Sequence, residues 1–413
     1  MTDLNRRTFI AQSAGALSAV ALTPSLASAW RMPRGAALSV GVIGVGRQGR
    51  QILSELEKID GVTLAAICDI DPSRLDSGQR RAQGARAFAD HRALLDDPDI
   101  DAVIIATPTH THREVAVDAI SAGRHIYCEA PLAHTIEDCR AIASTARASA
   151  KVFQAGFQGR SNPVYNLARS FYRSDSVRDL VQMRAVHARK TSWRIPSPDP
   201  DRERALNWRL DPAVSLGLAG EWGAQQFDVF HWFTGNFPTR IRAGGFIANP
   251  DNRDGREIPD TIHATLEFPG GPTLVYQATL ASSYEDEYEL LCGTFATIKL
   301  AWSHGWMFKE ADAPTQGWEI YANKQQFHTD EGITLIAEAT KLAAQGRLQE
   351  GVGLEHPPLY YALQDFVKSC VEGAEVATSV EAGLRSTVVG ILANRAVMTG
   401  EVVEVTQQEL AVG

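Results

Sequence analysis

The sequence is poor in the residues that build several common kinds of site. Its 413 residues include only five cysteines, with no Cys-x-x-Cys pair and no His/Cys cluster spaced for zinc, so we expect no metal site. Beyond the amino-terminal stretch, no apolar run is long enough to span a bilayer. Positive charge is also scarce, since the formal net charge is −9. An acidic surface repels phosphate backbones, which argues against nucleic acid as a partner.

The first residues follow the order of an export signal. Arg6-Arg7 is followed by an aromatic and an aliphatic residue, then by a mildly apolar stretch over residues 11–22, and then by the small-x-small run Ala27-Ser28-Ala29. This order predicts a twin-arginine signal peptide over residues 1–29; an ordinary amphipathic helix is the alternative. We therefore expect the twin-arginine machinery to export the folded protein to the periplasm, with no transmembrane segment in the mature chain.

A glycine motif follows the first apolar strand pattern, residues 38–43. The motif is Gly44-Val45-Gly46-Arg47-Gln48-Gly49, and a helical pattern comes directly after it. Gly44 permits a tight turn, Gly46 lets backbone approach a pyrophosphate, and Gly49 lets the helix pack on the strand. We expect the pyrophosphate at the helix N-terminus, beside Arg47 and Gln48. A glycine turn without a ligand is the alternative.

An acidic residue completes the motif. A second apolar strand, residues 62–68, ends at Asp69, 20 positions after Gly49. A carboxylate there accepts hydrogen bonds from both ribose hydroxyls and repels a 2′-phosphate, which favours NAD. NADP is the alternative, because Arg74 is within reach of such a phosphate.

Strand and helix patterns continue to alternate. The expected strands are 101–106, 125–128 and 152–155, the expected helices are 110–122 and 136–148, and residues 80–85 are expected to end an earlier helix. This alternation predicts a parallel, doubly wound sheet. Cys68 and Cys128 lie in apolar strand patterns and are expected to be buried thiols.

Two short loops follow strands of this sheet and should face a cofactor, because ligands bind outside the carboxyl ends of such strands. The expected contacts are Thr107, Pro108 and His110 in the first loop, and Glu129 and Pro131 in the second. The alternative for His110 and for its neighbour His112 is a structural role, as a helix-capping or surface residue.

These motifs together are familiar. "GVIGVGRQG", "CDIDP", "ATPTHTH", "CEAPLAHT" and "GFQGRSNP", with the later "GEWGAQQFDVFHWFTG", resemble the glucose–fructose oxidoreductase / inositol dehydrogenase (Gfo/Idh/MocA) family. The resemblance implies a Rossmann domain over residues 37–157, then an α/β domain with an open, mostly antiparallel sheet over residues 158–405. It also implies a carbohydrate substrate and a homo-oligomer.

The sequence departs from the family pattern at the residues that transfer the substrate proton in the family. The usual Glu-Lys-Pro corner, whose lysine helps to remove the substrate hydroxyl proton, reads Glu129-Ala130-Pro131. The family's Asp, His and Asp on a pocket helix are replaced by Glu221, Gln225 and Asp228. Glu129 carries over as a ribose contact and Asp228 as a helix or pocket residue. The lysine and histidine functions do not carry over.

The second domain offers replacement groups. Residues 221, 225 and 228 have the spacing of one helix face, so Gln225 and Asp228 are candidate substrate contacts. Glu221 and His187 lead as candidate bases, followed by Lys190 and Tyr165. A histidine on an apolar strand is more often a core residue.

A loop rich in arginine and tryptophan is the other candidate surface. Trp193, Arg194, Trp208 and Arg209 suit a polyhydroxylated or anionic ligand. The alternative is that the tryptophans anchor the core and the arginines pair with acids of the same loop. The segment 302–332 is expected to be irregular.

Three functions fit these observations. The first is an NAD(P)-dependent oxidoreductase acting on a sugar, with a tightly bound and internally recycled cofactor, because the periplasm has no soluble dinucleotide pool. The second is an NAD-dependent glycosidase or lyase that works through transient oxidation. The third is a non-catalytic sugar- or cofactor-binding protein, which Ala130 and Gln225 favour.

Overall fold

The computed structural model describes residues 37–248, 256–317, 319, 322–327, 330–345 and 352–412. The segment for which we predict a signal peptide, residues 1–29, lies outside these ranges. Within them, no helix combines the length and the apolar character that crossing a membrane requires.

The first domain forms a parallel sheet because short apolar runs alternate with helices along the chain. Its six strands pair in the order β3-β2-β1-β4-β5-β6, always in parallel. The strands are β1 (Leu38–Ile43), β2 (Val62–Cys68), β3 (Arg86–Phe88), β4 (Ala102–Ile105), β5 (His125–Glu129) and β6 (Phe153–Gly156). The helices are α1 (Arg47–Leu56), α2 (Pro72–Gln79), α3 (His91–Leu95), α4 (His112–Ser121) and α5 (Ile136–Arg147). The predicted Rossmann fold is confirmed.

The order of these strands determines where a ligand can bind. Strand order reverses between β1 and β4, and the crevice of such a sheet lies at this reversal. The loops after β2, β1, β4 and β5 therefore follow one another along a single edge. Cys68 and Cys128 are buried free thiols in β2 and β5, as predicted.

The second domain contains a larger, mostly antiparallel sheet. Its order is β14-β15-β13-β12-β11-β7-β10-β9-β8-β16, and β7 with β10 is the parallel pair. The strands are β7 (Leu180–Ala188), β8 (Arg240–Phe246), β9 (Thr261–Glu267), β10 (Thr273–Thr279), β11 (Glu287–Gly293), β12 (Ala296–Ala301), β13 (His304–Lys309), β14 (Lys324–Gln326), β15 (Glu331–Thr334) and β16 (Val403–Glu404).

Helices of the second domain connect this sheet to the first domain. They are α6 (Pro163–Arg173), α7 (Pro200–Leu206), α8 (Gly217–Glu221), α9 (Gly223–Thr234), α10 (Ala339–Ala344), α11 (Pro358–Glu372), α12 (Val380–Thr399) and α13 (Gln407–Leu410). The long helix α12 contacts α5 of the first domain as well as α8, α9 and β8. One continuous apolar core therefore includes residues of both domains.

Three predictions about elements were wrong. Helix α2 ends at Gln79 and does not extend over residues 80–85. The segment 302–332, expected to be irregular, contains β13, which pairs antiparallel with β12 on one side and with β15 on the other. The single helix expected from Glu221 onward is interrupted at Trp222, which separates α8 from α9.

Candidate functional site

Of the three glycines in the turn after β1, Gly46 is the one with free space beside its Cα atom. A side chain at Gly44, whose φ is +93°, would meet the carbonyl oxygen of Ala106 at 2.6 Å. A Cβ atom at Gly49 would lie 1.9 Å from the carbonyl oxygen of Gly44. The nearest atom to a Cβ on Gly46 is in the Arg74 guanidinium, 3.7 Å away. No side chain caps α1 at Gly46, so its first N–H groups are available to an anion.

The carboxylate of Asp69 is fixed at the end of β2 by backbone donors. The N–H of Val45 donates to Oδ2 at 3.0 Å, and the N–H of Asp71 donates to Oδ1 at 2.9 Å. Burial raises the pKa of Asp69, while these N–H groups and Arg74 act in the opposite direction. Each oxygen keeps a further lone pair, which suits the hydroxyls of a ribose.

Glu129, the last residue of β5, connects the glycine turn to the Ala-Pro corner. The Nε2 of Gln48 donates to Glu129 Oε1 at 2.9 Å. A Cβ atom on Gly156 would lie 2.9 Å from the Cα atom of Glu129, so β6 packs closely against this residue. Burial raises the pKa of Glu129 to about 7, against the opposing hydrogen bonds from Gln48 and from the N–H of Ala130.

This raised pKa predicts a pH-dependent stability. The folded pKa of Glu129, about 7, exceeds the reference value of 4.5, so the folded state binds more protons and its free energy of unfolding falls as pH rises between these values. The loss is about 3 kcal/mol in the limit of complete burial. We expect Glu129→Gln, which cannot ionise, to flatten this fall in urea unfolding at pH values of about 5 and about 8. The same fall in both proteins would contradict the assignment.

His112 joins the two loops that flank the crevice. Its Nδ1 lies 3.0 Å from the carbonyl oxygen of Pro131 and its Nε2 lies 2.9 Å from that of Thr107. The Ala130–Pro131 peptide bond in the second of these loops is cis. Only 1% of His112 is exposed, so it is a buried residue that links the two loops. The alternative of a surface role for His112 was therefore wrong.

The tip of the corner is apolar. Ala130 packs against Ala155 and Ala224. Beside this patch, the Nε2 of Gln225 donates to the carbonyl oxygen of Gly156 at 2.9 Å. Its Oε1 is buried and has no hydrogen-bond partner among the described residues. Because an unpaired buried acceptor is costly, this oxygen suits a hydroxyl donated by a ligand.

Glu221 contacts the first domain because α8 ends at this residue. Thr109 Oγ1 donates to Glu221 Oε2 at 3.2 Å, and the N–H of Leu216 donates to Oε1 at 3.5 Å. The Nε of Arg209 lies 3.7 Å from Oε2. Burial raises the pKa of Glu221, while Arg209, the Leu216 N–H and Thr109 oppose this effect.

Arg209 lies on the accessible side of this carboxylate. Its guanidinium stacks on Trp208 with Cζ 4.2 Å from the ring centroid, and 42% of its side chain is exposed. Desolvation in the cleft lowers the pKa of Arg209; Glu221 raises it, and the charges of Arg47 and Arg74 lower it further. Trp208 and Glu221 thus hold Arg209 beside the loop after β4, because Glu221 also accepts from Thr109 of that loop.

His110 packs among rings at the same edge. Its ring centroid lies 5.7 Å from that of Trp208 and 6.2 Å from that of His134. Burial and the neighbouring His134 lower the pKa of His110, and Asp211 acts in the opposite direction. His110 therefore connects the loop after β4 to the second domain.

Asp228 lies in α9 with Gln225, whereas Glu221 lies in α8. Arg160 donates to its two oxygens at 2.8 and 2.7 Å, and Ser386 Oγ donates at 2.6 Å. The interruption at Trp222 removes the common helix face that residues 221, 225 and 228 were predicted to form. This corrects the prediction that Asp228 contacts substrate, because its carboxylate is bound within the protein.

Three candidate bases lie outside the Glu221 cluster. Tyr165 is buried, and its hydroxyl donates to Glu289 Oε2 at 2.7 Å. The ring of His187, 1% exposed, stacks on Trp222 with centroids 4.7 Å apart, and its Nδ1 lies 3.3 Å from Glu287 Oε2. Lys190 has an exposed side chain, and its N–H donates to Ser283 Oγ. Trp222 covers the imidazole of His187, so the structure corrects the prediction of direct proton transfer by His187 and brings Lys190 to no site residue by a described contact.

The alternative explanation holds for part of the Arg/Trp loop. Trp193 packs, partly buried, against the main core. Arg194 pairs with Glu203 of the same loop at 2.8 Å. These two predicted substrate contacts are therefore engaged in the loop and the core, whereas Trp208 and Arg209 reach the crevice.

Sequence reasoning missed Thr109 and Arg160. Thr109 stands between two predicted contacts, Pro108 and His110, in a loop already assigned to the crevice, so its place in the chain was a usable signal. Arg160 belongs to a motif of the resemblance, but nothing in the sequence pairs it with Asp228.

One group of possible metal ligands occurs in the described ranges: His91, Glu114 and Asp118. His91 Nε2 lies 2.9 Å from Asp118 Oδ2. Arg92 Nη2 lies 2.6 Å from Glu114 and 3.0 Å from Asp118. Because the guanidinium already supplies the positive charge, we interpret this group as an ion-pair network between α3 and α4.

A Rossmann sheet with an open glycine cradle, joined to a mostly antiparallel sheet, defines a two-domain class of dinucleotide-dependent oxidoreductases. Residues 38–157 match the profile "Oxidoreductase family, NAD-binding Rossmann fold", and residues 177–299 match the "GFO/IDH/MocA C-terminal domain". The two profiles describe one family and together match more than half of the chain. The chain therefore belongs to the Gfo/Idh/MocA family and carries an NAD-binding domain.

Curated relatives include dehydrogenases of cyclitols and sugars. Inositol 2-dehydrogenase 1 of Saccharopolyspora erythraea is 26% identical over 360 residues, which cover 84% of this chain and 96% of that protein. Levoglucosan dehydrogenase of Pseudarthrobacter phenanthrenivorans is 27% identical over 241 residues, which cover 54% of this chain and 60% of that protein. For this and some other relatives, the chain thus spans less than two thirds of their length.

Solved structures show the same fold. Levoglucosan dehydrogenase in complex with NADH and levoglucosan has a TM-score of 0.71 at 21% identity. The oxidoreductase domain protein from Kribbella flavida has a TM-score of 0.73 at 20% identity. Each comparison covers 90% of this chain and 100% of the other. At these identities, the likeness establishes the architecture.

Proposed function

We propose that this protein is an NAD-dependent oxidoreductase acting on a sugar or sugar derivative. When bound, NAD supplies a hydride acceptor at the carboxyl edge of the first sheet. Gly46 leaves room for the pyrophosphate and Asp69 offers lone pairs to ribose hydroxyls. The observation that carries the proposal is that Glu221, paired with Arg209, accepts a hydrogen bond from Thr109 in the loop after β4, at the same edge of the sheet as the glycine turn.

The polar groups of the cluster support a polyhydroxylated substrate. Gln225 offers an unpaired acceptor, and the half-exposed Arg209 offers several N–H donors in a fixed plane. The aromatic ring of Trp208 supports that guanidinium. Relatives that are dehydrogenases of inositol and levoglucosan support the same substrate class.

We assign the role of proton acceptor to Glu221. Ala130 carries no ionisable group, so the hydroxyl proton of a substrate must go to another residue when the hydride leaves. A carboxylate is an effective general base when its pKa is raised toward the working pH, and burial acts on Glu221 in that direction. Thr109 and Arg209 hold the carboxylate in place.

Export and cofactor retention complete the proposal. The twin-arginine order of residues 1–29 supports export of the folded protein to the periplasm. Since that compartment has no soluble dinucleotide pool, the site must keep its cofactor and regenerate it with a second carbohydrate. A homo-oligomer, expected from the family resemblance, also belongs to the proposal.

The experiment begins with protein purified without added cofactor. Absorbance and the nucleotide released on denaturation are measured, and a panel of sugars and cyclitols is then added. We expect bound NAD and a sugar-dependent appearance or loss of the reduced-nicotinamide band. Bound nucleotide with no spectral response to any sugar would favour a binding protein over an enzyme.

Restoring the family lysine tests the missing group directly. We expect Ala130→Lys, introduced into the Glu221→Gln variant, to raise the single-turnover rate of cofactor reduction about tenfold or more, because the lysine would supply the positioned base that this variant lacks. Ala130→Met is the matched control, since it adds a chain of similar reach without charge. No gain from lysine, with nucleotide still bound, would indicate a reshaped pocket and different chemistry.

A further inference from the structure

One segment of the second domain lies across the edge of the first. We call residues 199–210 the strap; it contains α7 and the short 3-10 turn Trp208–Leu210. Its α7 begins at an Asp199 cap whose side chain accepts from the N–H groups of Asp201 and Arg202. The strap is therefore a locally ordered unit and not an extended loop.

Two contacts attach the strap to the first domain. Arg202 Nε lies 2.7 Å from Asp71 Oδ2, and its Nη2 lies 3.2 Å from Ser73 Oγ. At the other end, the buried ring of Trp208 packs on His110. Burial alone would raise the pKa of Asp71, but hydrogen bonds from Arg202 and Ser73 lower it, so the ion pair acts on a charged carboxylate.

The order of the strands places the crevice under the strap. Asp71 follows β2 and His110 follows β4, and β1 lies between these strands in the sheet. The two contacts are thus on either side of the glycine turn after β1. Arg209, in the strap, stacks on Trp208 and pairs with Glu221, which accepts from Thr109 in the loop after β4.

We propose that the strap closes over the bound dinucleotide and retains it, with Arg202–Asp71 as a latch and Arg209 as a third cation for the pyrophosphate. The inference rests on the proposed function and deepens it. In a chain with a net charge of −9, Arg47 at the start of α1, Arg74 of α2 and Arg209 of the strap would provide a local positive field for a dianion. An ion pair at the end of a locally ordered segment can break without unfolding the domain, which provides an exit path.

Dissociation kinetics test the strap. Protein loaded with NADH is mixed with excess NAD, and the loss of NADH fluorescence gives the dissociation rate constant. We expect Arg202→Gln and Asp71→Ser each to raise this constant about tenfold, because changes in affinity act mostly through dissociation. Serine keeps the cap of α2 that Asp71 now provides. Arg204→Gln is the matched control, since Arg204 is an exposed arginine of the same helix that pairs with Asp201.

The outcomes separate the two proposals. Unchanged dissociation in both latch variants, with unfolding temperatures like that of the parent protein, would overturn the strap. Equal acceleration by Arg204→Gln would also overturn it, because the effect would then not depend on the latch. A parent protein that binds neither NAD nor NADH would instead overturn the proposed function.

Discussion

Glu221→Gln is expected to lower kcat by about 10²- to 10⁴-fold, the range that a positioned general base contributes. The amide keeps the size of the side chain and can still accept a hydrogen bond from Thr109, but it cannot take a proton. NAD affinity should stay within about twofold, because Glu221 does not belong to the glycine turn. Steady-state kinetics and NADH titration measure the two effects separately.

The pH profile identifies the reason for such a loss. Burial raises the pKa of Glu221, and only its charged form accepts a proton, so kcat/KM should rise as pH increases through that raised value. The variant should lack this acid limb. Glu404→Gln, on an exposed carboxylate of β16, should retain it. A variant with normal kcat and an unchanged acid limb would assign the proton to another group.

The second large effect is expected from a pair of glycines. Gly49→Ala should lower the free energy of unfolding by about 3 kcal/mol or more, because its Cβ would overlap backbone that has no room to move. The clash would be with the carbonyl oxygen of Gly44, 1.9 Å away. Urea unfolding and NAD titration of the remaining folded protein measure this loss.

Gly46→Ala is the informative partner variant. Its Cβ has no neighbour closer than 3.7 Å, so the protein should fold with a loss of less than about 1 kcal/mol. The same methyl group occupies the space left for the pyrophosphate, and we expect NAD affinity to fall by about tenfold to a hundredfold. Normal NAD binding by Gly46→Ala would contradict the cradle, whatever the behaviour of Gly49→Ala.

Local patterns were sufficient to predict the first domain. Apolar runs of strand length, a glycine motif between strand and helix, and Asp69 at the end of β2 are features of contiguous sequence. The burial of these strands and the space at the glycine turn depend on residues that are close together in the sequence. The Rossmann fold and its NAD-binding character therefore followed from sequence alone, while the individual cofactor contacts stay predictions.

The second half of the site depends on contacts between distant residues. No spacing rule indicates that Arg160 engages Asp228, or that Arg202 reaches Asp71 across 131 positions. The interruption of the helix at Trp222 was missed as well, although Gly220 and Gly223, which flank this residue, are poor helix formers. Helical periodicity predicted one polar face formed by Glu221, Gln225 and Asp228. In the structure, these side chains contact Thr109, Gly156 and Arg160 respectively.

The protonation state of His112 determines how the two loops beside the crevice are linked. Burial lowers its pKa to about 4, so the ring is neutral near pH 7 and carries a single hydrogen. The carbonyls of Pro131 and Thr107 both face it, yet only one receives that hydrogen at any moment. A change of tautomer would move the hydrogen bond from one loop to the other, so a neutral His112 bonds only one of the two loops at a time.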